Sequence, residues 1–159
     1  MLYVDSSALI KHYIREAGSD ALNAKLNEAS RHHPGIFISA VGYAEILATF
    51  ARRLRGNARL KKQTKLLRDV FRDDWMFELT CVELAVGVLE LIPGLVDKHP
   101  LRGADAIHLA SALWLRDAVR LGQEFGPANR SLTFASADKQ LNRAASAEGL
   151  EVFDPQEKA

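Results

Sequence analysis

A chain of 159 residues, 48% of them hydrophobic, is the size of one ordinary domain and can bury a sizeable core without disulfide staples. Its 21 Lys and Arg against 20 Asp and Glu give a net charge of +1, so the bulk charge points to neither nucleic acid, membrane nor an acidic partner. One cysteine, Cys81, excludes an internal disulfide and a cysteine-rich zinc site, which suits a reducing, cytoplasmic compartment.

In chain order, "LYV" (2–4) reads as a short buried strand, interrupted by Asp5 before it could become a leader-like apolar run. Ser6 to about Arg15 reads as a helix, with Ser6 or Ser7 as N-cap and Leu9, Ile10, Tyr13 and Ile14 as its apolar face. Gly18 ends it, and Ser19 can cap a second helix that runs through about Ser30. "GIFIS" (35–39), bounded by Pro34-Gly35, is a second strand, followed by a helix over Ala40–Leu54 that stops near Gly56. From Ala58 to Asp74 the chain is helical and strongly basic, and "MFEL" (76–79) reads as a weak third strand.

Val82 to Val96 is a further helix, expected to break near Pro93-Gly94. This richest apolar stretch carries Glu90 as well as Pro93, so no membrane span is expected. "GADAIHLASALWLRDAVRL" shows helical spacing of Ile107, Leu109, Ala110, Leu113 and Trp114. "SLTFAS" (131–136) and "LEVF" (150–153) are strands flanking a helix from Lys139 to Ala147. Strands alternating with helices point to a parallel sheet covered on both faces. No internal repeat or interdomain linker is visible.

In an open α/β sheet, ligands bind beyond the carboxyl ends of the strands. Asp5 and Asp138 follow strands there, and Asp105 lies in the first turn of its helix. Glu45 falls on a small, apolar helix face beside Val41 and Ala48, where a carboxylate has no evident solvating role. Singly, each aspartate also reads as a helix cap or first-turn acid. Together, acids about 4 Å apart would repel by roughly 4 kcal/mol at an effective dielectric near 20, and so call for a divalent cation. An all-oxygen donor set favours Mg²⁺ or Mn²⁺, and ions held by few carboxylates accept phosphate oxygens, which points to a phosphodiester substrate.

Four segments, "YVDSSALIKHY", "SAVGYAEILATF", "LRGADAIHLASAL" and "FASADKQLNRAA", with a closing "GLEVFDP", occur in an order that resembles the PIN-domain family, specifically the VapC-like ribonuclease toxins of type II toxin–antitoxin systems. The resemblance spans residues 2 to 155 and implies one PIN-like domain over 1–155 with a tail at 156–159. It further implies a three-layer α/β/α sandwich with a central, mostly parallel sheet of about five strands, and Mg²⁺- or Mn²⁺-dependent endoribonuclease activity. The expected partners are an RNA substrate, a cognate VapB-like antitoxin and a second copy of the chain, with no membrane. Carried over residue by residue, Asp5, Glu45, Asp105 and Asp138 are the implied metal and catalytic acids, and Ser6 and Ser136 their hydroxyl neighbours, holding a water or phosphate.

Other residues carry open readings. Arg102 is three residues before Asp105 and either pairs with it or a phosphate, or is a surface charge; His108 is either a donor behind the acids or a structural histidine. Trp75 and Trp114 read as core. The segment "RRLRGNARLKKQTKLLRDVFR" holds nine Lys or Arg against Asp69 alone. Arg52, Arg53, Arg55, Lys61, Lys62 and Lys65 make it an electrostatic track for RNA, a dock for an acidic partner, or a solvated hairpin. The rival to an enzyme is a non-catalytic RNA- or protein-binding module of the same fold, in which the acids are caps. A haloacid-dehalogenase-like phosphatase would need an aspartate where Ser7 stands, and no histidine is placed by the sequence to activate Ser6 or Ser7 as a nucleophile.

Overall fold

Apolar runs too short to be helices pair into one sheet in the computed structural model, which describes residues 1–31, 35–56, 61–122 and 131–157. The strands are β1 (Leu2–Val4), β2 (Ile36–Ser39), β3 (Thr80–Val82), β4 (Thr133–Ala135) and β5 (Glu151–Phe153). They run all-parallel in the order β3-β2-β1-β4-β5. Because β1 is central, with β2 on one side and β4 on the other, the chain order reverses at β1, which is where such sheets open a crevice at their carboxyl ends.

The pleat divides the core. Leu2, Val4, Ile36 and Ile38 point to a face covered by α1 (Ser6–Tyr13), α2 (Ser19–Ala29), α3 (Ala40–Gly56) and α4 (Lys61–Phe77). Tyr3, Phe37 and Phe134 point to the opposite face, covered by α5 (Val86–Lys98), α6 (Gly103–Arg120) and α7 (Lys139–Ala147). The expected three-layer α/β/α arrangement with five strands is what forms. α4 is fixed to the first layer by an aromatic cluster of Tyr13, Tyr43, Phe50, Phe71 and Trp75, and by the Tyr13 hydroxyl donating to Asp74 at 2.8 Å. Among the described residues, no helix is long and apolar enough to cross a membrane.

Two elements differ from expectation. Met76 and Phe77 are not a strand but the exposed end of α4, 68% and 75% accessible, and the third strand is the next triplet, which pairs Thr80 with Phe37 and Cys81 with Ile38. The helical repeat that sets Phe71 and Trp75 on one face carries the helix past "MFEL" until the Glu78 and Leu79 amides close back on Asp74. Likewise the helix expected from Val82 starts at Val86, because Val82 pairs with Ser39 as the end of β3, and it continues through Pro93 to Lys98, since Pro93 lies on the exposed side, where the unpaired carbonyl one turn earlier can reach water.

Gly18 sits at the N-cap of α2 with φ +88°, and a Cβ there would stand 2.6 Å from the Pro155 carbonyl oxygen. Both the left-handed backbone and the packed C-terminal turn exclude a side chain. Gly18→Ala is expected to lose about 1–3 kcal/mol in urea unfolding, whereas alanine at Gly94, which meets nothing within 4 Å, should lose far less.

Candidate functional site

The register of β1 on β4, Val4 opposite Ala135, brings Asp5 and Ser136 off the sheet side by side. Asp5 is 4% exposed. Its Oδ1 accepts the Ala8 amide at 2.8 Å; the Ser7 hydroxyl, at 2.9 and 3.0 Å from the two carboxylate oxygens, also donates to it, and the Ser136 hydroxyl donates to Oδ2 at 3.0 Å. Asp5 is therefore itself the N-cap of α1, and the expected caps Ser6 and Ser7 are not. Its extended backbone, φ −87° and ψ 171°, places it where the side chain can reach back to the first turn. Burial nevertheless raises its pKa, with His108, the Ala8 amide and the two serines pulling the other way.

Glu45 projects from α3 towards the same edge and is half-buried. Its Oε2 accepts the Ser6 hydroxyl at 2.7 Å and lies 2.9 Å from Nε2 of His108. The bond from His108 holds its carboxyl below the usual range, against partial burial. His108 is 2% exposed, and its Nδ1 lies 2.9 Å from the Tyr3 hydroxyl. Tyr3 did not stand out in the sequence, and Ser7 did so only as a candidate cap or nucleophile; for His108 the only signal was its i+3 spacing from Asp105.

Asp105, in the first turn of α6, accepts the Arg102 amide at 3.2 Å. Its pKa is raised, first by burial and then by the negative charges of Asp138 and Glu45, while Arg102 acts in the opposite direction. Asp138 caps α7, its Oδ1 accepting the Gln140 and Leu141 amides at 2.8 and 2.9 Å, and its own amide donates to Ser136 Oγ. Asp105 thus lies in the field of Glu45 and Asp138, and Ser136, which donates to Asp5 and accepts the Asp138 amide, ties those two acids to the same edge. Among the described residues, however, no three Asp, Glu, His or Cys side chains stand in an arrangement that could hold a metal ion. Their chemistry fits a hard cation: all donors are oxygens, and Asp5 and Asp105 carry charge that their surroundings disfavour.

A groove of about 720 Å³ opens beside this edge, its lining including Ser6, Ser7 and Glu45 together with Arg52, Arg53 and Arg102. Lys11, 3% exposed, also lines it; its Nζ lies 2.8 Å from Glu16 Oε1, and Arg53 reaches the other Glu16 oxygen at 3.4 Å. Nothing in the local pattern around Lys11 marks it as buried. Of the other basic candidates, Arg55, Lys62 and Lys65 are exposed on the α3–α4 hairpin, and the side chain of Lys61 lies outside the described residues, as do 57–60.

The PIN domain family model matches residues 2–146. The chain is 30% identical over 158 residues to Ribonuclease VapC49 of Mycobacterium tuberculosis (strain ATCC 25618 / H37Rv), covering 98% of this chain and 96% of that one. It is 31% identical over 154 residues to Ribonuclease VapC46 of the same strain, covering 97% of each. Among solved structures, FitAcB from Neisseria gonorrhoeae superposes with a TM-score of 0.62 at 15% identity, over 99% of this chain and 100% of that one. VapBC2 from Rickettsia felis, bound to a DNA fragment from their promoter, gives 0.62 at 12% identity, over 97% and 98%. At these identities the two structures bear on the fold.

The burial of Asp5 has a consequence for stability. Its folded pKa is raised above the ordinary 3.8, so the native state binds the extra proton; that stabilisation is complete below the unfolded value and is lost as pH rises through the folded one. At pH 8 without divalent ions, Asp5→Asn, which keeps a capping oxygen, is expected to melt at or above the unaltered protein and to lose this pH dependence. Asp5→Ala should melt lower than Asp5→Asn by the equivalent of about 1 kcal/mol for the lost cap.

Proposed function

The chain belongs to the PIN-domain family, and from that premise we propose that it is a metal-dependent endoribonuclease that acts as the toxin of a toxin–antitoxin pair. The observation that carries the reading is that Asp105 sits in the field of Glu45 and Asp138, at an edge where Ser136 bonds Asp5, beside a groove that Glu45, Arg52, Arg53 and Arg102 line. The ribonuclease names of the Mycobacterium tuberculosis relatives support the reaction class.

In this reading Asp5, Glu45 and Asp105 hold Mg²⁺ or Mn²⁺, with Asp138 completing the set. Such an ion, when bound, supplies positive charge at the scissile phosphate and lowers the cost of forming hydroxide from water. Glu45, kept ionised by His108 and Ser6, is a fixed negative group at neutral pH. Ser6 and Ser136 orient Glu45 and Asp5 through hydrogen bonds, a different role from holding water or phosphate. Arg52, Arg53 and Arg102 take the backbone phosphates, an attraction that selects no sequence and weakens with salt. Hydrolysis breaks the phosphorus–oxygen bond to one ribose and adds water across it.

The organisation we infer is one domain over residues 1–155, a cytoplasmic location, a VapB-like antitoxin as inhibitor and a homodimer as the working form. A second reading, a binding module that cleaves nothing, draws on a specific observation: Asp5 and Asp138 both cap helices, and no three acids among the described residues stand where they could hold a metal ion.

The two readings separate in one assay. Single-stranded RNA should be cleaved in Mg²⁺ or Mn²⁺, and cleavage should vanish with EDTA or in Asp105→Asn, whose carboxylate caps nothing beyond the Arg102 amide. RNA binding without cleavage, insensitive to EDTA, would establish the module instead.

A further inference from the structure

We propose that His108 is a positioning residue for Glu45 and that Tyr3 selects the imidazole tautomer in which it acts. The inference rests on the metal-dependent reading above and deepens it.

A carboxylate only accepts hydrogen bonds, so the 2.9 Å contact between His108 Nε2 and Glu45 Oε2 requires the proton to be on Nε2. In a neutral ring, Nδ1 is then a bare acceptor, and the group facing it at 2.9 Å is the Tyr3 hydroxyl, a donor. The phenol has one proton to give, and the bare Nδ1 at 2.9 Å is an acceptor for it. The direction of the chain is thereby fixed, from Tyr3 O–H to Nδ1, and from Nε2–H to Glu45.

Its mechanical anchoring is equally defined. Tyr3 is fully buried in the central strand, its ring stacked on Phe134 at 5.4 Å, and His108 is held in the buried face of α6. Glu45 is half-buried and sits on a flexible side chain of α3, so without this chain it has Ser6 alone to orient it. Both donors converge on Oε2, which leaves Oε1 outside the pair of bonds and the carboxylate in one orientation. Two core elements thus set the direction of an acid at the groove. A histidine needed only for packing would require neither a hydroxyl at position 3 nor a donor at Nε2.

The test uses the full chain at fixed pH, with Mn²⁺ alone as the probe. In ¹⁵N spectra, His108 should be the Nε2–H tautomer, and Tyr3→Phe, which keeps the ring stack, should introduce the other tautomer. In calorimetric titration, Tyr3→Phe and His108→Leu should bind Mn²⁺ about 10- to 100-fold more weakly, the range expected for groups that orient ligands. His108→Gln, which restores an N–H donor, should recover part of that loss. Mn²⁺ affinity within about twofold of the unaltered protein in Tyr3→Phe, or in a cooperatively melting His108→Leu, overturns the relay alone. If the unaltered protein binds no Mn²⁺, the metal reading fails and the relay's role falls with it.

Discussion

Parallel pairing of β1 with β4, Val4 opposite Ala135, decides where Asp5, Ser136 and Tyr3 stand. It delivers Asp5 next to Ser136, starts α1 at the carboxyl edge of the sheet, and puts Tyr3 on the opposite face, against Phe134 and within reach of α6. A one-residue slip would send Leu2 and Val4 to the face that Tyr3 occupies and bury the wrong set, so the hydrophobic pattern and the acidic edge are specified by the same register.

The edge combines two demands that elsewhere are met by different residues. Asp5 and Asp138 each satisfy backbone amides at a helix start, which explains why carboxylates are tolerated there without any ligand. The same burial and crowding leave Asp5 and Asp105 with charges their surroundings disfavour. Serine hydroxyls take up part of that burden: Ser7 and Ser136 bond Asp5, and Ser6 bonds Glu45. Capping and cation binding are therefore not exclusive roles for one aspartate. A cap holds the carboxylate still through Oδ1, and a fixed carboxylate suits an ion better than a mobile one.

What was legible in the sequence was whatever local periodicity encodes. The 3.6-residue spacing of Ile107, Leu109, Ala110, Leu113 and Trp114 specifies α6, and short apolar runs at helix boundaries specify β1, β2 and β4. The positions of the four acids relative to those elements followed from the same pattern. Choices between neighbouring candidates did not. Asp5, Ser6 and Ser7 are three consecutive good N-caps, and only the backbone angle at Asp5 selects among them. "MFEL" and "TCV" compete for the third strand, and the outcome is set by the aromatic packing of α4 and the register with Phe37 and Ile38. Long-range polar contacts were invisible: the Tyr3–His108 bond spans 105 positions and the Ser136–Asp5 bond 131.

The most direct measurement on the acidic edge is the unfolding free energy at pH 8 as Mn²⁺ is titrated. A cation-binding edge gains stability with the logarithm of ion concentration once the site fills, about 2.7 kcal/mol at 100 times the dissociation constant. Stability that stays flat across the titration would contradict a metal-holding edge and leave the four acids as helix caps and surface charges.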